Sequence, residues 1–134
     1  MNTQTPFFIL SAETDIHTTN ENAYRSGMLS RQLRRAGFAV ATCYGAFEGV
    51  KEKSVLVIDE TPYNDDCFNA VLRLAKTYAQ KYVLGVDANR TAILIRVSDG
   101  LTHKYMGNFR SVTEEVAKAS KSWTERAGRY YVCT

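Results

Sequence analysis

Ser111-Val-Thr-Glu-Glu-Val-Ala-Lys-Ala-Ser-Lys-Ser-Trp-Thr-Glu-Arg-Ala-Gly128 has the marks of a helix. Ser111 and Glu114 have the spacing of a capping box, in which a hydroxyl accepts from a free helical N–H and the glutamate reaches back. Val112, Val116, Ala119 and Trp123 form an inward stripe, and Gly128 is a natural stop. Short apolar runs at residues 91–97 and 130–133 read as strands on either side, so the chain is expected to end as strand-helix-strand.

Working back towards the N-terminus, residues 6–12 are a short aromatic and branched run with the character of a buried strand. Thr18-x-x-Glu21 is a second capping-box spacing, and the helix it opens has Tyr24, Met28, Leu29, Leu33 and Ala36 as its inward stripe before Gly37. Residues 38–44 alternate bulky and small side chains as a strand would, and Gly45 and Gly49 bracket a loop before the strand Ser54-Val-Leu-Val-Ile58. Thr61-Pro62 or Asp65 starts a helix carrying Phe68, Val71, Leu72, Ala75, Tyr78 and Ala79, and residues 82–86 form a further strand. The first six elements run strand-helix-strand-strand-helix-strand. That order predicts one α+β domain over residues 1–134, with a split βαβ (ferredoxin-like) core: a mainly antiparallel sheet with helices on one face, plus the C-terminal strand-helix-strand.

Composition sets the class. The chain has 134 residues, 45% hydrophobic and 23% charged, values ordinary for one globular domain. Its apolar runs are strand-sized, well short of the ~20 residues that span a bilayer. No secretory signal is read in Met1-Asn2-Thr3-Gln4-Thr5. Three widely spaced cysteines, Cys43, Cys67 and Cys133, suggest reduced thiols and a cytoplasmic location. The net charge of +3 is concentrated in the second half, a mild bias that gives only a weak pointer to nucleic acid.

Asn22-x-x-Arg25-x-x-x-Leu29-x-x-x-Leu33 on the first helix, Glu52-x-Ser54 entering the third strand and Tyr78-Ala79-Gln80 leaving the second helix carry a resemblance. Over residues 7–95 the sequence resembles a family of short bacterial and phage proteins that bears a domain-of-unknown-function label. The departure is at Ser11-Ala-Glu-Thr-Asp15, where that family has Thr-Ala-x-Asn-Pro. The resemblance implies a fold and supplies no activity.

In the expected topology Asn22, Arg25, Glu52 and Gln80 share one end of the domain, bordered by Glu13, Asp15, His17 and Glu48. Such a group is either a hydrogen-bond network, with Arg25 paired to Glu52 and Asn22 and Gln80 bonded to loop backbone, or a ligand site. Arg31, Arg34 and Arg35 share the solvent side of the first helix and are the candidate partner-binding surface.

Other chemistry is weakly signalled. Glu13-x-Asp15-x-His17 permits a metal but equally describes an acidic loop before a helix N-terminus, and no metal or cofactor is expected. His17-Thr18-Thr19 resembles half of a two-histidine phosphoesterase, but His103-Lys104-Tyr105 lacks the matching hydroxyl. No phosphate-binding glycine loop or hydrolase elbow is present. The expectation is a small noncatalytic accessory protein that binds a macromolecule, most plausibly a protein, with nucleic acid second. The alternative is a small-molecule, nucleotide or phosphoester site at the polar end of the sheet.

Overall fold

A computed structural model describes residues 5–47 and 50–134. Glu48 and Gly49 lie outside the described residues. The elements are β1 (Phe7–Leu10), α1 (Thr19–Arg35), β2 (Ala39–Phe47), β3 (Val50–Ile58), α2 (Asp66–Thr77), β4 (Tyr82–Val86), β5 (Thr91–Arg96), β6 (Thr102–Val112), α3 (Glu114–Lys118), β7 (Ser122–Arg126) and β8 (Arg129–Cys133).

The strands form a closed barrel in the order β1-β3-β2-β7-β8-β6-β5-β4, and β1 seals it by pairing antiparallel to both β3 and β4. This replaces the expected ferredoxin-like open sheet, and the cause lies in the C-terminal third. Ser111 does not cap a helix; it belongs to β6, opposite Tyr131 of β8. The cap is Thr113, whose side chain accepts from the Val116 N–H, and the helix it starts has only five residues. Trp123 stands opposite Ala46 in β7. Ala127 and Gly128 both have positive φ, 52° and 79°, as a two-residue hairpin turn of the primed type requires. What reads as a helix stop is therefore the turn between β7 and β8, and those two strands bridge β2 to β6 and close the sheet.

Most of β6 carries no strand pattern because its first four residues, Thr102 to Tyr105, are exposed and mostly polar. Its pairing with β5 also shifts register twice, which breaks any simple alternation.

The barrel has two cores. Helices α1 and α2 lie on the outside of β1 to β4, where Leu29, Leu33, Val71 and Leu74 pack on Leu10, Val55, Val57 and Val83. Phe7, Cys43, Leu56, Val86 and Ala92 fill part of the lumen, with Ile9, Leu84, Met106 and Phe109 beside them. Strand β3 thus buries both faces, which explains its unbroken apolar run from Val55 to Ile58. Both bonds of the Thr18–Glu21 capping box form, but Tyr24, expected inward, is 69% exposed. Among the described residues no helix is long and apolar enough to cross a membrane.

Candidate functional site

An eight-stranded barrel has an interior just wide enough for side chains to fill or for one small ligand. Which of the two occurs depends on the side chains that point in. Strand β2 contributes the small residues Ala41, Cys43 and Gly45 opposite Leu56, Ser54 and Glu52 of β3, which leaves space on this wall. The result is a cavity of about 540 Å³ at one end of the lumen, lined among others by Ile9, Leu84, Leu94 and Met106 and by the polar residues Glu52, Ser54, Ser122 and Thr124.

Glu52 and Lys81 are the charged residues that line this cavity. The Glu52 carboxylate makes no hydrogen bond or ion pair among the described residues. Desolvation by burial, and secondarily the nearby negative charge of Glu13, push its pKa above the ordinary glutamate value. Ser11, also at this end, is fully engaged: its hydroxyl donates to the Lys53 carbonyl and accepts from the Glu13 N–H, each at 3.0 Å. Cys43 and Cys133 face the lumen with thiols pushed by burial up to about 12 and about 11 respectively, so both are protonated and poorly nucleophilic.

The other candidate residues hold the loop beside this mouth. Asn22 Oδ1 accepts from the Thr14 N–H and its Nδ2 donates to the Thr14 carbonyl, both at 3.0 Å. Arg25 donates from Nε to the Ala12 carbonyl and from Nη2 to the Tyr78 carbonyl, both at 2.7 Å, while its guanidinium stacks over the Tyr78 ring. Gln80 Nε2 donates to the Glu13 carbonyl at 2.9 Å, and this residue also lines the cavity. Arg25 therefore does not pair with Glu52, as the network reading supposes; its donors go to backbone carbonyls, and that of Tyr78 also accepts from Gln80 Nε2 at 3.2 Å. Asn22 and Arg25 tie the segment after β1 to α1, and Arg25 and Gln80 join this segment to the end of α2.

Arg31, Arg34 and Arg35 are exposed on α1, away from the lumen lining. Asp15 is exposed, and the His17 ring bonds the Thr14 hydroxyl. Among the described residues no group of three histidine, cysteine or acidic side chains could hold a metal ion. Glu48, named with the bordering loop residues, lies outside the described residues.

Ser122 and Thr124 escape a reading of the sequence, because Ser122-Trp-Thr-Glu-Arg126 has the pattern of a helix end. The signal that could have found them is the Ala127-Gly128 pair before Arg129-Tyr-Tyr-Val-Cys133, a small-residue turn leading into a β-rich run.

The family model of the S-adenosylmethionine lyases matches residues 8–134. Among curated proteins none matches the chain. A lyase family is a family of enzymes, and this overturns the expectation of a noncatalytic accessory protein of unknown function. With all but the first seven residues matched, the chain belongs to the S-adenosylmethionine lyase family.

Proposed function

We propose that the protein cleaves S-adenosylmethionine at its sulfonium centre, with the substrate held in the barrel lumen and its positive charge facing Glu52. The observation that carries this reading is the Glu52 carboxylate, partly desolvated in a ligand-sized cavity and without a counter-ion among the described residues. An unpaired, desolvated carboxylate gains more from an arriving cation than a solvated one does. A sulfonium is a fixed charge that cannot escape by losing a proton, so it suits that position. The cavity volume of about 540 Å³ falls within the range of small-ligand sites.

The family's name denotes cleavage without water or a second substrate. The electron pair of the broken C–S bond stays on sulfur, giving a neutral thioether nucleoside, and the carbon left behind must be satisfied from within the substrate. The substrate's own carboxylate can attack the γ-carbon and close a five-membered lactone, which needs no nucleophile from the protein. This step joins a cationic centre to an anionic group and removes both charges. An apolar lumen wall, here Ile9, Leu84, Leu94 and Met106, solvates the separated charges poorly and so favours their cancellation. The protonated thiols of Cys43 and Cys133 are unsuited to nucleophilic attack. Free rather than disulfide-bonded Cys43, Cys67 and Cys133 fit a cytoplasmic place of action.

The test is to incubate the purified protein with S-adenosylmethionine alone and follow the products by chromatography and mass spectrometry. Loss of substrate with equal amounts of thioether nucleoside and amino-acid lactone is expected. No turnover, or products that require a methyl acceptor, would reject the reading.

A further inference from the structure

The lumen has a second mouth, where the charged lining is basic instead of the mixed Glu52 and Lys81 of the first. A cavity of about 450 Å³ there is lined by Arg90 and Arg126, by the rings of Phe7, Phe109 and Tyr131, and by hydroxyl residues including Ser111. Among the described residues no carboxylate lines it.

The rings form a continuous wall. Phe109 stacks on Tyr131 with centroids 5.0 Å apart and meets Phe7 edge-on at 5.2 Å. Arg90 is fixed to this wall: its guanidinium lies over the Phe7 ring at 5.5 Å and Nη1 donates to the Thr5 carbonyl at 3.1 Å. Its backbone has φ 65°, a left-handed conformation that arginine rarely adopts and that glycine or asparagine would accept more easily. The arginine side chain thus sits at the mouth despite an unfavourable backbone, an outlier of the kind that marks functional positions. Arg126, exposed at the rim just before the hairpin turn, makes no hydrogen bond or ion pair among the described residues. Its charge nevertheless reaches into the barrel, where it opposes the effect of burial on the Cys43 thiol, while the smaller effect of Glu125 adds to that of burial.

We propose that this second mouth, with Arg90 and Arg126 beside the ring wall of Phe7, Phe109 and Tyr131, binds a nucleoside monophosphate. The planar base lies against the rings, and the phosphate takes the guanidinium donors of Arg126, whose geometry matches its oxygens, with the Arg90 charge beside it. The Ser111 hydroxyl is available to the sugar. The first mouth has Glu52 and Lys81 as its charged lining, whereas the second has two arginines, so a phosphate is favoured at the second. The inference is separate from the proposed lyase reaction in its charged residues, Arg90 and Arg126 against Glu52, although Thr124 and Tyr131 line both cavities.

Calorimetric titration of the full chain with adenosine 5′-monophosphate, adenosine and inorganic phosphate tests it. The monophosphate should bind at least tenfold more tightly than either fragment. Arg126→Glu should weaken the monophosphate at least tenfold and leave adenosine binding, thermal unfolding and turnover of S-adenosylmethionine at wild-type levels. Arg126→Gln gives the same readout in milder form should the charge reversal disturb the fold. Equal affinity for monophosphate and adenosine, an unaltered affinity in both Arg126 variants, or a comparable loss in Glu52→Gln would each overturn the proposal. Because turnover is measured separately, an inactive lyase and an empty second mouth are distinguishable results.

Discussion

The barrel has a covered wall and a bare one. On the covered side, Leu10, Val55, Val57 and Val83 face α1 and α2 while Ile9, Leu56 and Leu84 face the lumen, so both faces of each strand are apolar. On the bare side β6 presents Thr102, His103, Lys104 and Tyr105 to solvent and turns only residues such as Met106 and Phe109 inward. The comparison separates two tasks. Stability is concentrated where helices add a second core, whereas the cavity depends on what each strand points inward, whichever wall it belongs to.

Substitutions can break this division. Leu33, fully buried between α1 and the covered wall, should be the costliest of those considered: Leu33→Ala is expected to lose roughly 2–5 kcal/mol in denaturant unfolding. A loss below about 1 kcal/mol would show that the helices add little to the barrel.

Glu52→Gln should act on activity and not on folding. Because burial and Glu13 raise the Glu52 pKa, the folded state favours the protonated carboxyl. The stabilising contribution of that proton is complete below the unfolded value near 4.5 and is lost as pH rises through the folded value. At neutral pH the ionised group is therefore a cost to the fold, and Glu52→Gln should melt at the same or a higher temperature than wild type. The acid limb of kcat/KM should lie above the usual glutamate range, since only the ionised form attracts the sulfonium. Glu13→Gln removes the like charge and should move that limb to lower pH. A limb that does not move in Glu13→Gln would take Glu52 out of the binding step.

Smaller effects belong to the bare wall. Gly128→Ala places a side chain at φ 79° in the β7–β8 turn and should cost about 1 kcal/mol. Lys104→Ala, on the exposed part of β6, should stay within about 0.5 kcal/mol of wild type by the same unfolding measurement. A larger loss at Lys104 would mean that the bare wall carries stability of its own.

The same division governs what the sequence alone reveals. Ser54-Val-Leu-Val-Ile58 is legible as a strand because two-sided burial leaves an unbroken apolar run, and Thr18-x-x-Glu21 is legible because a capping box is local. The barrel is not legible, because its closure rests on β6, β7 and β8. Thr102 to Tyr105 lack alternation, and Ser111-x-x-Glu114 reproduces a capping-box spacing although Thr113 is the cap. The turn at Ala127-Gly128 has only a small-residue pair as its sequence signal, equally fit to end a helix, and its two positive φ angles identify it as a hairpin turn. Of the four polar residues grouped from the sequence, Glu52 and Gln80 line the cavity, while Asn22 and Arg25 bond the loop backbone. The hollow itself follows from Ala41, Cys43 and Gly45 facing inward, which has meaning only once the sheet has closed.

The central claim is that the unpaired Glu52 carboxylate in the lumen receives the substrate's positive charge. Its most direct test is kcat/KM for S-adenosylmethionine in wild type and Glu52→Gln at neutral pH, with thermal unfolding recorded on the same samples. A loss of at least tenfold, about 1.4 kcal/mol of transition-state stabilisation, with an equal or higher melting temperature is predicted. Wild-type kcat/KM in a folded Glu52→Gln protein would contradict it.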